Sequence, residues 1–222
     1  GPVLIELLED PSAPPRPPRS VGLYHIAILV PDRPALAALL RRLAAAQWPL
    51  QGAADHLVSD ALYLADPDGN GLELTADHPR DRWPMRNGRL VMGTERLDLL
   101  DLLEESPAGP FALDPATAIG HLHLQVPDLP AAERFFSGLL GLDVVERGFP
   151  GALFMSAAGY HHHIGVNTWA GVNAPLPPAG ALGLVGYSLA LPGRADGDLN
   201  RVDPAGALVQ VTHPEPADLP VR

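Results

Sequence analysis

The sequence predicts an α+β protein made of repeated β-α-β-β-β units, each curling a mixed sheet around a cavity with its helix outside. The first observation behind this prediction is an internal repeat, because residues 22–36 (GLYHIAILVPDRPAL) recur as residues 118–132 (AIGHLHLQVPDLPAA). The second is that each copy begins with an alternating apolar segment ending in Val-Pro-Asp. The third is that short apolar segments separated by turns follow each copy.

Each repeat predicts one helix directly after its Val-Pro-Asp sequence. Asp32 and Asp128 are suited to cap a helix N-terminus, and Pro34 and Pro130 suit the first turn. Apolar residues then follow at i, i+3, i+4 and i+7, which is the spacing of one helix face. They are Leu36, Leu39, Leu40 and Leu43 in the first copy and Ala132, Phe135, Phe136 and Leu139 in the second.

Short strands complete each unit. We predict them at residues 56–58, 61–65 and 72–76 in the first copy and at 142–147, 152–156 and 161–168 in the second. A third, degenerate copy at residues 182–212 keeps a turn but has no room for a helix between Leu191 and Asn200. The first dozen residues are typical of the closing strand of a further unit, whose beginning we expect to lie outside this sequence.

These elements divide the chain into five predicted segments. Residues 1–19 hold the remnant of a first unit and a Pro-rich linker. The two complete units occupy residues 20–84 and 118–173, and a connector at residues 85–117 joins them. The degenerate C-terminal unit occupies residues 174–222.

Composition excludes several classes of protein. The 222 residues include no cysteine, so disulfides and thiolate chemistry are excluded and any metal must be held by His, Asp or Glu. The net charge is −11 and all 15 basic residues are Arg, without the clustered cationic face that nucleic-acid binding needs. No apolar run reaches the roughly 20 residues of a membrane span. We expect a soluble, cytoplasmic protein without nucleic-acid or membrane partners, and homo-oligomer formation stays open.

Equivalent histidines in the two copies predict a metal site. His25 and His121 occupy the same repeat position and therefore face the same side of equivalent strands. Glu73 lies in the apolar run Gly-Leu-Glu-Leu, where an inward charge needs a partner, and aligning the turn glycines of the two units matches it with His163. If the units pack about a pseudo-twofold axis, these side chains converge. We predict His25, His121 and Glu73 as metal ligands, because two His and one carboxylate leave open positions on non-haem Fe(II).

The remaining histidines have weaker patterns. His123 shares a strand face with His121, so we expect it to line the cavity without contacting the metal. His56, His78 and His213 have no repeat mate at a ligand position and are predicted at the surface.

The repeat with its His and Glu positions resembles the vicinal oxygen chelate superfamily of glyoxalase I, bleomycin-resistance proteins and type I extradiol dioxygenases. The segments GLYHIAILVPD, GAADHLVSDALYLADPDGNGLEL, IGHLHLQVPDL and GYHHHIGVNTWAG are most similar to bacterial catechol-2,3-dioxygenase-like ring-cleaving proteins of the four-unit kind. The better-known extradiol pattern takes its ligands from the last two units, but here the last unit has Gly186 at the His position and Gln210 at the Glu position. We therefore expect the two complete units to pair around the working cavity.

The resemblance implies an extradiol dioxygenase that cleaves a catechol- or hydroquinone-type aromatic diol with O2. Fe(II) is the expected metal and Mn(II) the alternative. Ring opening requires proton transfer, for which His163 or its neighbour His162 is suited, and Tyr160 is expected to orient a substrate oxygen. Two other functions stay open: glyoxalase-like isomerase or lyase chemistry, which would favour a carboxylate in place of His163, and a non-catalytic small-molecule-binding resistance protein.

Overall fold

The computed structural model describes residues 3–107, 109, 111–191 and 199–212. The first repeat unit consists of β1 (Gly22–Val30), α1 (Arg33–Ala45), β2 (Gly52–Asp55), β3 (Ser59–Ala65) and β4 (Gly71–Asp77). A connecting segment follows, with a 3₁₀ turn (Arg80–Arg82), the short strands β5 (Met85–Arg86) and β6 (Arg89–Leu90), and α2 (Leu99–Glu104).

The second unit repeats the element order of the first. It consists of β7 (Ala118–Gln125), α3 (Leu129–Glu133), a π-helical turn (Arg134–Leu139), β8 (Asp143–Glu146), β9 (Ala152–Ser156) and β10 (Ile164–Asn167). The described C-terminal residues form β11 (Gly186–Ala190), β12 (Leu199–Val202) and β13 (Leu208–Thr212).

The two units share one eight-stranded sheet. Its strand order is β2-β3-β4-β1-β7-β10-β9-β8, so the second half repeats the first about the central pair of β1 and β7. That central pair is antiparallel, whereas β1 pairs with β4 and β7 pairs with β10 in parallel. The mixed, curled sheet with few helices confirms the predicted α+β fold class.

Both predicted helix starts are confirmed. Asp32 accepts a hydrogen bond from the backbone N–H of Ala35 at 2.9 Å, and Asp128 accepts one from Ala131 at 2.9 Å. The first helix runs for 13 residues, but in the second unit a π-helical turn replaces α-helical bonding after Glu133. Within the described ranges, no helix is long and apolar enough to cross a bilayer.

Strand alternation separates the hydrophobic core from the cavity. On β7, Leu122 and Leu124 belong to the core of the second unit, so His121 and His123 face the other side of the sheet. The three-stranded sheet of order β11-β13-β12 joins the same core through Val209. The C-terminal strands therefore pack against the core face of the second unit.

Two predicted strand boundaries are wrong. Residues 56–58 do not form a strand, because β2 ends at Asp55 and Leu57 adopts a φ of 68°, in the left-handed region. The predicted strand at 161–168 starts late, since β10 begins at Ile164 and the three histidines precede it in irregular chain. Residues 192–198, where no helix was predicted to fit, lie outside the described residues, and so does His213.

Candidate metal centre

Strand register brings the three predicted metal ligands together. Ala27 on β1 lies between Glu73 on β4 and His121 on β7, because it is the register partner of both. His25 precedes Ala27 by two residues and therefore points to the same face. Ala27 is fully buried and presents only a methyl group, which leaves space for the three longer side chains to meet.

The ligand atoms of these residues form a compact triangle. The Glu73 Oε2 atom lies 3.0 Å from His25 Nε2 and 3.1 Å from His121 Nε2, and the two Nε2 atoms are 3.3 Å apart. Neighbouring corners of an octahedron with metal–ligand bonds of about 2.1–2.3 Å are separated by about 3.0–3.3 Å. The three side chains therefore fit one divalent cation.

The protonation states of Glu73 and His121 also suit a cation. Burial alone would raise the pKa of the Glu73 carboxyl, but His121 and His25 outweigh burial and hold that pKa well below its usual range. Burial lowers the pKa of His121 against the opposing effect of Glu73. An ionised carboxylate beside a neutral imidazole is the form in which these side chains bind metal. The Nδ1 atom of His121 has no hydrogen-bond partner among the described residues. Its Nε2 atom is the one that contacts Glu73 and His25.

The three predicted ligands lie in the wall of a cavity of about 390 Å³. Much of the remaining wall is aromatic, from Tyr24, Tyr63, Phe149, Phe154 and Trp169. His123 lies on this wall, buried, and its Nε2 atom is 3.0 Å from the side-chain nitrogen of Asn167. Such a wall favours a flat, largely apolar molecule with a few polar atoms.

His162, rather than His163, faces the cavity. The His162 ring centroid lies 4.1 Å from that of His121, and His162 is part of the cavity wall. His163 is half-buried elsewhere: its Nδ1 atom lies 3.1 Å from Ser156 Oγ and accepts a hydrogen bond from the backbone N–H of Ala157. Burial, followed by the neighbouring His121, holds the pKa of His162 well below its usual range, so its imidazole is neutral at pH 7.

The predicted equivalence of Glu73 and His163 is wrong. Ala27 pairs with Glu73 in the first half of the sheet, and the corresponding pair in the second half is His123 with Gly165. The chain from the turn glycine to this position is two residues longer in the second unit, because Gly69 precedes Glu73 by four residues and Gly159 precedes Gly165 by six. The repeat mate of the Glu73 carboxylate is therefore a glycine.

Tyr160 lies outside the cavity wall. Its hydroxyl group donates a hydrogen bond of 2.9 Å to Asp77, and its ring lies against His161, with a centroid distance of 4.0 Å. In this position Tyr160 contacts the segment that carries His162 rather than the space in which a substrate would lie.

Tyr63 and His56 are a hydrogen-bonded pair on the cavity wall that the sequence prediction missed. Tyr63 is the register partner of Glu73 on β3, and its hydroxyl group lies 2.6 Å from Nε2 of His56, which is half-buried rather than a surface residue. His56 Nδ1 lies 2.7 Å from the carbonyl oxygen of Gly93 and must donate to it, so Nε2 of a neutral His56 accepts from Tyr63. The hairpin alternation between β3 and β4 is the signal that could have identified Tyr63. Burial, and then Glu73, raise the pKa of Tyr63, so its hydroxyl group stays protonated.

A second group of potential ligands, Asp55, Asp60 and His78, is already paired within the protein. The Asp60 carboxylate lies 2.7 Å from the Arg33 guanidinium and 3.0 Å from His78 Nε2. His78 is thus paired with Asp60, and it is half-buried, whereas the sequence predicted it at the surface. Because a guanidinium already neutralises Asp60, this group differs from the centre at His25, Glu73 and His121.

Comparison with known proteins gives two kinds of match. A sequence profile of the glyoxalase/bleomycin resistance protein/dioxygenase superfamily matches residues 1–74. The chain is 49% identical over 217 residues to the catechol-2,3-dioxygenase of Bacillus subtilis (strain 168), which covers 95% of this chain and 75% of that protein.

A solved structure resembles the fold. It is from Bacillus subtilis subsp. subtilis str. 168, carries a provisional dioxygenase name, and matches with a TM-score of 0.56 at 12% identity. The match covers 89% of this chain but 64% of that one, so this chain spans less than two thirds of the solved protein. At this identity the likeness concerns the fold alone.

Proposed function

The chain belongs to the glyoxalase/bleomycin resistance protein/dioxygenase superfamily, and from this premise we propose that it is a metal-dependent extradiol dioxygenase. The proposed substrates are an aromatic diol of the catechol or hydroquinone type and O2. The relative from Bacillus subtilis, named as a catechol-2,3-dioxygenase, supports this class of reaction.

The observation that carries the proposal is the triangle of His25, Glu73 and His121 in the wall of an aromatic cavity. Two imidazoles and one carboxylate on one side of a cation leave its other side open to the cavity. The proposed metal is Fe(II), with Mn(II) as the alternative. When bound, such a metal supplies Lewis acidity and the one-electron chemistry towards O2 that protein side chains lack.

The protein itself would bind and orient the diol. The aromatic side chains around the cavity provide flat apolar contacts for a ring, and they reduce the access of water to it. The open edge of the metal triangle faces the same space, so the ring's oxygen atoms would point towards His25, Glu73 and His121. The walls thus define both the plane and the direction of the substrate.

Two side chains are placed to handle protons. Neutral His162 lies beside His121 and would accept a proton that the diol loses on binding. Tyr63, also on the cavity wall, keeps its hydroxyl proton and donates it to His56, so its hydroxyl oxygen would accept a hydrogen bond from a hydroxyl group of the diol while His56 holds it in place. Ring opening needs a proton acceptor and later a proton donor, and His162 would serve as both, because the proton that it accepts from the diol can be returned to the ring-opened product.

The alternative functions are less well supported. A glyoxalase-like reaction would favour a second carboxylate at the repeat mate of Glu73, and that position is Gly165. A binding protein without turnover would need no ligand triangle, yet His25, Glu73 and His121 all converge.

The test is anaerobic purification with metal analysis, followed by O2 and a panel of catechols and hydroquinones. We expect about one Fe or Mn per chain and the yellow ring-opened product from at least one diol. The matched control is Asp60→Asn, which changes a buried carboxylate outside the cavity. A protein that binds no divalent metal and consumes no O2 with any diol would contradict the proposal.

A further inference from the structure

A chain of hydrogen bonds runs from Asp77 to the cavity through two adjacent histidines. The Asp77 Oδ1 atom lies 3.1 Å from Nε2 of His161, and Nδ1 of His161 lies 2.8 Å from Nδ1 of His162. Asp77 ends β4 of the first unit, whereas both histidines precede β10 of the second. The chain of bonds therefore links the two halves of the molecule beside the cavity.

The carboxylate fixes the direction of the first bond in this chain, and a singly protonated His161 then fixes the direction of the second. An ionised carboxylate only accepts hydrogen bonds, so His161 must donate from Nε2. A neutral imidazole carries one proton, which leaves Nδ1 of His161 as an acceptor. His162 must then donate from its own Nδ1, and its Nε2 keeps a lone pair. The reverse direction would place the lone pair of His161 Nε2 against the Asp77 oxygen at 3.1 Å.

The surroundings hold this arrangement in place. His161 is 1% exposed, and the rings of Trp83 and Tyr160 pack against it with centroid distances of 5.4 and 4.0 Å. The second oxygen of Asp77 accepts the hydroxyl proton of Tyr160, which limits rotation of the carboxylate. Neither Asp77 nor His161 contributes to the cavity wall, so both would act on a substrate only through His162.

We propose that Asp77 and His161 are positioning residues that hold His162 in the Nδ1–H tautomer, with the Nε2 lone pair available to the cavity. The catalytic consequence rests on the proposed dioxygenase function, because a proton acceptor at Nε2 is what the diol requires. The tautomer itself is independent of that function. An acceptor on one ring nitrogen is the usual means of fixing which nitrogen of a histidine is protonated.

The tautomer is measured directly by long-range ¹H–¹⁵N correlation NMR of the full chain, labelled in histidine and freed of paramagnetic metal by chelation. The signals of His162 are identified by their loss in His162→Phe. We expect the Nδ1–H tautomer in the wild type and in Tyr160→Phe, which keeps the bond between His161 and Asp77. In Asp77→Leu and His161→Phe we expect a mixture or the Nε2–H tautomer.

A pair of substitutions keeps the test decisive if either of those variants fails to fold. In His161→Asn the amide oxygen lies near the position of Nδ1 and still accepts from His162, whereas in His161→Gln the amide lies near Nε2 and reaches only Asp77. With a cleaved diol, we expect kcat within about threefold of wild type for His161→Asn and at least tenfold lower for His161→Gln, with KM and metal content unchanged in both.

The outcomes separate this inference from the proposed function. Wild-type His162 in the Nε2–H tautomer, or an unchanged tautomer in both Asp77→Leu and His161→Phe, would overturn the inference even if the protein cleaves catechols. If no diol is cleaved, the dioxygenase proposal fails, and the NMR result still decides whether Asp77 and His161 control His162.

Discussion

The two halves of the eight-stranded sheet have the same strand order but different side chains in the row that faces the cavity. In the first half, the small Ala27 pairs with Glu73, and in the second half His123 pairs with the small Gly165. Each pair therefore combines one large and one small residue. The large residue lies on β4 in the first half, but on β7, the counterpart of β1, in the second half. The difference places one carboxylate, rather than two, beside His25 and His121.

Packing explains why the second half needs a glycine. A Cβ atom on Gly165 would lie 3.1 Å from the ring of His123, closer than ordinary van der Waals contact. The space that a second carboxylate would take is thus filled by an imidazole. Burial, and then His25, hold the pKa of His123 well below its usual range, so this imidazole adds no charge. The site keeps a formal charge of −1, which suits a divalent cation with open positions.

The largest expected effect of breaking this asymmetry follows from Glu73→Ala. We expect metal content to fall below about a tenth of the wild-type value and ring cleavage to fall with it, because two imidazoles alone hold a divalent cation poorly. The measurement is metal analysis and O2 uptake on the same sample, with circular dichroism as the check on folding. Normal metal content in this variant would exclude Glu73 as a ligand.

The same asymmetry shows what could be predicted from the sequence. The repeat alone predicted the fold class, the helix caps at Asp32 and Asp128, and a cluster of His25, His121 and Glu73. These predictions depend on strand alternation and capping, which are local rules that both copies share. The fold and the convergence of His25, His121 and Glu73 therefore follow from short-range pattern together with symmetry.

What could not be predicted depends on places where the copies differ. The two extra residues between Gly159 and Gly165 caused His163 to be matched to Glu73 in error. The chain before β10 is irregular, and there His162 rather than His163 lies at the cavity. Tyr63 and His56 were missed because they come from strands and turns that have no mate with the same chemistry. Length differences inside a turn leave no mark on apolar periodicity, so they require the coordinates.

The second prediction tests which of the two adjacent histidines acts at the cavity. His162→Phe keeps a ring beside His121 but removes the proton acceptor, so we expect kcat to fall by ~10²–10⁴-fold with metal content unchanged. His163→Phe is the matched comparison, one residue away and directed towards Ser156. Steady-state kinetics with a cleaved catechol and metal analysis check both variants. A larger loss of kcat in His163→Phe would restore the turn alignment that the structure overturns.

The third prediction concerns the small residue in the second half of the sheet. Gly165→Ala adds a methyl group against His123, and we expect a loss of about 1–3 kcal/mol in the free energy of unfolding, the usual range for an overpacked site. Ala27→Gly is the matched change in the first half and should also destabilise, by about 1 kcal/mol, through backbone entropy rather than a clash. Urea denaturation measures both. If Gly165→Ala leaves the free energy of unfolding unchanged, then His123 can move aside and does not exclude a second carboxylate at this position.

The smallest expected effects compare the two helix caps. Asp32 and Asp128 each accept a backbone hydrogen bond of 2.9 Å, but the bond of Asp32 is exposed and that of Asp128 is partly buried. Removing an exposed cap leaves an N–H group that water can satisfy, whereas a partly buried N–H group loses its partner with less access to water. We therefore expect Asp32→Ala to cost about 0.5–1 kcal/mol of unfolding free energy and Asp128→Ala about 1–2 kcal/mol.

The helix that Asp128 caps is also the shorter one, with five α-helical residues before the π-helical turn, so it has fewer internal bonds to offset the loss. Urea denaturation measures both costs. Equal costs would show that the exposure of the cap does not decide its contribution. A larger cost for Asp32→Ala would contradict the prediction and would mean that the 13-residue helix depends more on its cap than the shorter helix does.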